Sequence, residues 1–406
     1  MPLHFIKIKR NGLKGCTVRV SKCLQQTKPY MFVELNRKKQ ELIAQGADVI
    51  TLSVGDPDGP TPQFIVDAMV DAVRDPKNHH YPAYAGSAEF RNAAAAYLQK
   101  RFGVEVDALT EVLALIGSKE GIVHLGNAFV DEGDYVLVPS IGYPAYSAAA
   151  TLRSANCWLM PTTAKNGYLA DFTGIPSETL MRTKVMFLGY PNNPTGACAP
   201  ESYLDEAIAF CREYDILLAH DNAYSDICFD GYRAPSVLQR PGAREVAVEF
   251  FSLSKGYNMT GWRIGFAAGN AQAVQALASV KSNIDTGVFN AIQQAGIAAL
   301  ESDQSCVREN CAVYERRRNL VVPALNEMGL ACAYPKATIY VWARIPKGYT
   351  SATFADYVLQ NAHVAVTPGS GYGDDGEGFI RISLAVPDDR LMEAFSRMKL
   401  LLSHGD

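Results

Sequence analysis

The sequence predicts an α/β protein with a large domain, a mostly parallel seven-stranded sheet flanked by helices, and a smaller α+β domain formed from both termini. Three observations predict it. Seven short apolar runs rich in β-branched residues recur through the middle of the chain, at 112–116, 135–138, 157–160, 185–189, 216–220, 247–251 and 264–268. Runs this short and apolar on both faces suit strands covered by helices on two sides, the environment of a parallel sheet. Helical spacing fills the gaps between them, and after about residue 300 the pattern changes to one long amphipathic segment followed by isolated strands.

Taken in order, the first 33 residues hold seven basic side chains and no acid, and read as a flexible basic arm. Residues 1–60 are expected to supply that arm and part of the small domain, because two-lobed α/β chains often return their termini together. Residues 61–299 then form the large domain. From Pro62 onward, Ile65, Ala68, Met69 and Ala72 share one helix face, and Gly117, Ser118 and Lys119 open another helix marked by Ile122, Leu125 and Phe129. Residues 300–406 form the small domain: a helix at 305–325, strands at 339–343 and 379–384, and a last helix with Leu391, Phe395, Met398 and Leu402 on one face.

Composition removes several functions. The chain has 406 residues, 48% of them apolar and 20% charged, with a net charge of −4. That balance gives no reason to expect nucleic acid or an anionic membrane as a partner. No apolar stretch approaches a membrane span and no secretory h-region is present, so a cytoplasmic enzyme is expected. Nine scattered cysteines without a C-x-x-C pair, and histidines without ligand spacing, argue for a reducing compartment and no metal.

The chemistry centres on Lys255, in the run Ser252-Leu-Ser-Lys-Gly-Tyr-Asn-Met-Thr-Gly-Trp-Arg263. An amine there can condense with an aldehyde while Ser252, Ser254 and Arg263 hold a phosphate beside it, and pyridoxal 5′-phosphate carries both groups. That cofactor makes further demands. Its ring nitrogen must stay protonated, which calls for a buried carboxylate, and Asp221 is placed for it after the run 216–220. Its ring oxygen needs donors, and Tyr224 and Asn193 can face it. A helix start at Ser118 and Lys119 suits the phosphate, and Tyr143 can cover the ring. Arg381 interrupts an apolar strand and suits a substrate carboxylate, because a buried guanidinium needs an anion. Taken alone, each residue also has a plain structural role: Asp221 as a helix N-cap, Arg381 in an internal ion pair, Asn193 in an Asn-Pro turn.

Gly117-Ser118-Lys119, Pro191-Asn-Asn-Pro-Thr-Gly196, Asp221-Asn-Ala-Tyr224, Ser252-Leu-Ser-Lys255 and Arg263 together resemble the class I/II aminotransferases of fold type I, over nearly the whole chain. The resemblance implies a homodimer with shared active sites, and a Lys255 that carries the cofactor and later shuttles the proton. It also implies that Tyr81 reaches the partner's phosphate and that Gly55 lies against the substrate carboxylate. A narrower set, including Pro29-Tyr-Met-Phe-Val-Glu34 and Lys281-Ser-Asn-Ile-Asp-Thr-Gly-Val-Phe289, is similar to the LL-diaminopimelate aminotransferase branch. That branch implies substrate contacts from Tyr30, Lys119, Tyr143, Asn193 and Asn290. One departure is Tyr84, where plant-type members place a glutamate for the distal ammonium. Two alternatives stay open: an aspartate, alanine or aromatic aminotransferase of the same class, and a non-catalytic ligand sensor on the same fold.

Overall fold

The computed structural model describes residues 20–26 and 32–403. Twelve strands lie among them. In chain order they are β1 (Ile50–Thr51), β2 (Val112–Leu115), β3 (Tyr135–Pro139), β4 (Asn156–Met160), β5 (Thr183–Leu188) and β6 (Leu217–Asp221). Next come β7 (Ala247–Ser252), β8 (Gly265–Gly269), β9 (Tyr340–Arg344), β10 (Val364–Ala365), β11 (Thr367–Pro368) and β12 (Phe379–Ser383). The seven apolar runs all appear, each within two residues of its expected bounds, as β2 to β8.

Those seven form one sheet in the order β2-β8-β7-β6-β5-β3-β4. Every neighbouring pair is parallel except the two that involve β8, which runs against β2 and β7. Alternate residues point to opposite faces, and both faces are buried. Leu113, Leu115, Val136, Val138, Val185, Phe187, Val248 and Phe250 pack against Ile122 and Leu125 of helix Ser118–Phe129 and Val274 and Leu277 of helix Ala271–Ser282. On the other face, Val112, Leu137, Met186, Leu188, Leu218 and Phe266 pack against Phe90 and Leu98 of helix Ala88–Phe102 and Leu204 and Ile208 of helix Glu201–Glu213. Burial on two sides is why these strands read as continuous apolar runs.

A second core joins the chain's two ends. β1 pairs with β10 in parallel, and β12 lies between β11 and β9. Ile50 and Leu52 share that core with Tyr314, Val321, Ile380, Ile382, Leu391 and Met398. The long helix spans Ser305–Glu327 and the last one Asp388–Ser403. No helix among the described residues is long and apolar enough to cross a membrane. Of the basic arm, residues 20–26 are described and hold a short helix at Lys22–Gln26; Tyr30 and residues 1–19 lie outside the described residues.

Candidate active site

The carboxyl edge of the large sheet opens into a cleft of about 550 Å³ between the two cores. Twelve residues singled out in the sequence line it together: Gly55, Ser118, Lys119, Tyr143, Asn193, Asp221, Tyr224, Ser252, Ser254, Lys255, Arg263 and Arg381. The topology explains the convergence, because parallel strands deliver their carboxyl ends to one edge. Two of these residues reach the edge by another route. Arg263 precedes β8, whose antiparallel course brings its amino end to the same edge. Arg381 sits in mid-strand in β12, opposite Trp342 of β9, and approaches from the smaller core.

Asp221 is the last residue of β6 rather than the first beyond it. Its Oδ2 accepts a hydrogen bond from the Tyr146 hydroxyl at 2.9 Å. Its Oδ1 is shut off from solvent and meets no donor among the described residues. Burial raises this carboxyl from 3.8 to about 6, against the opposing effects of the Tyr146 hydrogen bond, His220 and the nearby Ala223 backbone N–H. Because the folded value lies above the ordinary one, the folded state holds the extra proton. The group carries no penalty below about pH 4, and stability falls as pH rises to about 6, by about 3 kcal/mol. Denaturant titrations of cofactor-free protein should show that fall for wild type relative to Asp221→Asn, and a cationic group bound at Oδ1 should reverse it.

Lys255 lies in the short helix Leu253–Gly256 that follows β7. Its amine donates to the Gly55 carbonyl oxygen, and burial lowers its pKa below the ordinary lysine value, which enlarges the neutral, nucleophilic fraction. Gly55 has no room for a side chain: an added Cβ would stand 1.8 Å from the Tyr340 hydroxyl oxygen.

The anion cradle forms where helix Ser118–Phe129 begins. Gly117 caps it with φ +75°, and a Cβ there would lie 2.1 Å from Arg263 Nη2. Glycine therefore lets the guanidinium settle against the helix start, where free N–H groups and the helix dipole favour an anion. Arg263 itself has φ +54° and donates through Nη1 to the Thr260 carbonyl at 2.8 Å. Ser252 Oγ accepts from the Ser254 backbone N–H at 3.3 Å, so both hydroxyls stay at the mouth of β7. The Gly117→Ala substitution should move Arg263 and strain a backbone that only glycine adopts readily, weakening phosphate-cofactor affinity roughly tenfold or more. Fluorescence titration of the cofactor-free variant would measure it.

Lys119 Nζ lies 5.8 Å from the centre of the Tyr143 ring, and Tyr143 meets Tyr146 edge to face at 5.9 Å. Arg381 is buried. Its Nη1 donates to Asn193 Oδ1 at 2.8 Å and its Nη2 to the Ser53 carbonyl at 2.7 Å. Its guanidinium is also 4.0 Å from the Tyr340 ring centre and 5.0 Å from that of Tyr372. The donor set fits pyridoxal phosphate. The unpartnered Asp221 Oδ1 suits a ring N–H, the Gly117–Arg263 cradle suits the phosphate, and the Lys255 amine suits an aldehyde.

Two expected residues stand apart, and so does the departing Tyr84. Tyr81 is 89% exposed and does not line its own chain's cleft. Asn290 donates to the His80 carbonyl at 3.4 Å, beside Tyr81, and Tyr84 is also exposed. Sequence reasoning missed Tyr146, Tyr340, Tyr372 and Thr260, all in the cleft wall. Tyr146 closes the motif Gly142-Tyr-Pro-Ala-Tyr146 and could have been found there, whereas Tyr340 looks like one more apolar strand residue. Histidine spacing also hid one cluster of metal-type ligands, Glu120, His124 and Asp285. The ammonium of Lys281 already bridges its two carboxylates, at 2.6 and 2.9 Å.

Comparison with known proteins agrees with this geometry. The family description "Aminotransferase class I and II" matches residues 47–398. An LL-diaminopimelate aminotransferase of Desulforudis audaxviator is 51% identical over 93% of this chain and 97% of its own length. One from Moorella thermoacetica is 48% identical over the same shares. Among solved structures, substrate-bound BacF from Bacillus subtilis superimposes with a TM-score of 0.92 at 36% identity, covering 95% of this chain and 98% of that one.

Proposed function

The chain belongs to the class I and II aminotransferase family, and from that premise we propose that it is an LL-diaminopimelate aminotransferase using pyridoxal phosphate. It would move an amino group reversibly between LL-2,6-diaminopimelate and 2-oxoglutarate, with tetrahydrodipicolinate and glutamate as the opposite pair, in lysine biosynthesis. One observation carries the mechanism: a half-buried amine at Lys255 and a buried, unpartnered carboxylate oxygen at Asp221 face the same cleft. The substrate reading rests on relatives of that name at 48 and 51% identity along nearly the full chain.

When bound, the cofactor supplies an electron sink for a carbanion at the substrate's α-carbon. The chain's own groups do the rest. Asp221 Oδ1 holds a proton at the ring nitrogen, and Tyr146 fixes the carboxylate through Oδ2. Tyr224 and Asn193 face the ring oxygen, and Tyr143 covers one ring face. Ser118, Ser252, Ser254 and Arg263 bind the phosphate. Arg381 orients the substrate carboxylate beside Gly55, aided by Lys119. The Lys255 amine, whose pKa burial lowers, takes the α-proton and returns it one carbon away. Two substrates served in turn by one site give ping-pong kinetics.

In the same reading, residues 61–299 are the cofactor-binding domain, and residues 1–60 and 300–406 make up the arm and the small domain. Two cytoplasmic copies share their sites through Tyr30 and Tyr81, and Asn290 contacts cofactor and substrate. The exposure of Tyr81 and the Asn290–His80 contact favour a surface made of the Tyr81 loop and the start of helix Asn290–Glu301, offered outward to a second copy. The test is a donor panel of LL-diaminopimelate, meso-diaminopimelate, aspartate and alanine with 2-oxoglutarate, scored by glutamate formed. Dominant turnover of the LL isomer supports the reading. Dominant aspartate or alanine turnover would move the enzyme to its rivals, and no turnover at all would favour a sensor.

A further inference from the structure

Three walls of the cleft meet on one side chain that the mechanism above does not use. The Tyr340 hydroxyl lies 2.9 Å from the Tyr224 hydroxyl, its ring supports the Arg381 guanidinium at 4.0 Å, and its oxygen fills the space above Gly55. The ring of Tyr224 meets it edge to face at 5.6 Å. Both tyrosines are buried in the core that joins the chain ends, so neither can swing away into solvent. We propose that Tyr340 is a positioning residue that sets the cofactor-facing and the carboxylate-facing groups together: its hydroxyl orients that of Tyr224, and its ring face seats Arg381.

The direction of the hydroxyl pair follows from its surroundings. Burial disfavours charge on Tyr340, but the positive charges of Arg381 and Lys255 outweigh it and leave this hydroxyl more acidic than an ordinary phenol. Burial and the neighbouring Tyr340 hold Tyr224 well above its ordinary value. The more acidic hydroxyl donates, so Tyr340 O–H points at the Tyr224 oxygen. The Tyr224 proton is then directed into the cleft, toward the ring oxygen it is proposed to face. The π face of Tyr340 does separate work: it holds the guanidinium in plane and so sets the direction in which its N–H groups meet a carboxylate.

The inference rests on the proposed aminotransferase reading, and two substitutions divide its halves. The first, Tyr340→Phe, removes the hydroxyl and keeps the ring. The pH midpoint of the bound cofactor's absorbance should move upward by roughly half to one unit, the equivalent of one ordinary hydrogen bond. The KM for the amino donor should stay within about twofold, because the ring under Arg381 remains. The second, Tyr340→Leu, should show the same spectral shift and also raise that KM roughly 3- to 30-fold, the loss of one cation–π contact. In a Tyr224→Phe background the Tyr340→Phe change should shift the midpoint no further. A Tyr340→Phe protein that titrates like wild type, a shift that survives in the Tyr224→Phe background, or a Tyr340→Leu protein with unchanged KM would overturn the proposal. Wild-type protein that binds no cofactor would instead remove the reading beneath it.

Discussion

Replacing Lys255 with alanine is expected to lower kcat/KM for amino transfer by at least about 10⁴-fold, the upper range for a single positioned acid–base group. The residue has two tasks, forming the cofactor link and moving the α-proton, and no other amine among the described residues is placed to take them over. Lys119 also lines the cleft, but it sits by Tyr143 near the phosphate cradle. The phosphate cradle and the Asp221 oxygen would remain, so Lys255→Ala should still bind the cofactor, with an absorbance like that of the free aldehyde. Steady-state rates and absorption spectra of the purified variant check both halves. A variant that keeps wild-type turnover would remove Lys255 from the chemistry.

The second large effect is expected from Asp221→Ala. Its Oδ1 lies in a buried place that meets no donor among the described residues, and burial has already raised the carboxyl to about 6. A cationic ring nitrogen arriving there both relieves that cost and is held protonated by it. Removing one partner of a buried charge pair costs about 3–5 kcal/mol, so kcat should fall roughly 10²- to 10⁴-fold. Tyr146→Phe should act in the same direction by a smaller factor, about tenfold, because it takes one hydrogen bond from the remaining oxygen. Single-turnover kinetics of the half-reaction would rank the two.

The strands were legible because a sheet covered on both faces leaves no alternation to misread, and their carboxyl ends marked the cleft edge. The residues with strong chemical character, Lys255, Asp221 and Arg381, were legible for a related reason: charge amid apolar runs needs a purpose. Register and direction were less so. Nothing in 264–268 marks β8 as antiparallel, yet that reversal is what carries Arg263 to the same edge as Ser252. Neutral residues that act by contact were hidden. Tyr340 in its strand has the composition of a core position, and only its distances to Tyr224 and Arg381 give it a role. The cluster around Lys281 was invisible because Glu120, His124 and Asp285 come together only when helix Ala271–Ser282 packs on helix Ser118–Phe129.

The expected covalent bond between the Lys255 side chain and the cofactor's aldehyde carbon can be trapped by borohydride reduction and located by peptide mapping. Reduction of the cofactor-loaded protein should fix a phosphopyridoxyl group on the peptide that contains Lys255 and on no other. A label on a different lysine, or loaded protein that reduction leaves unlabelled, would contradict the account.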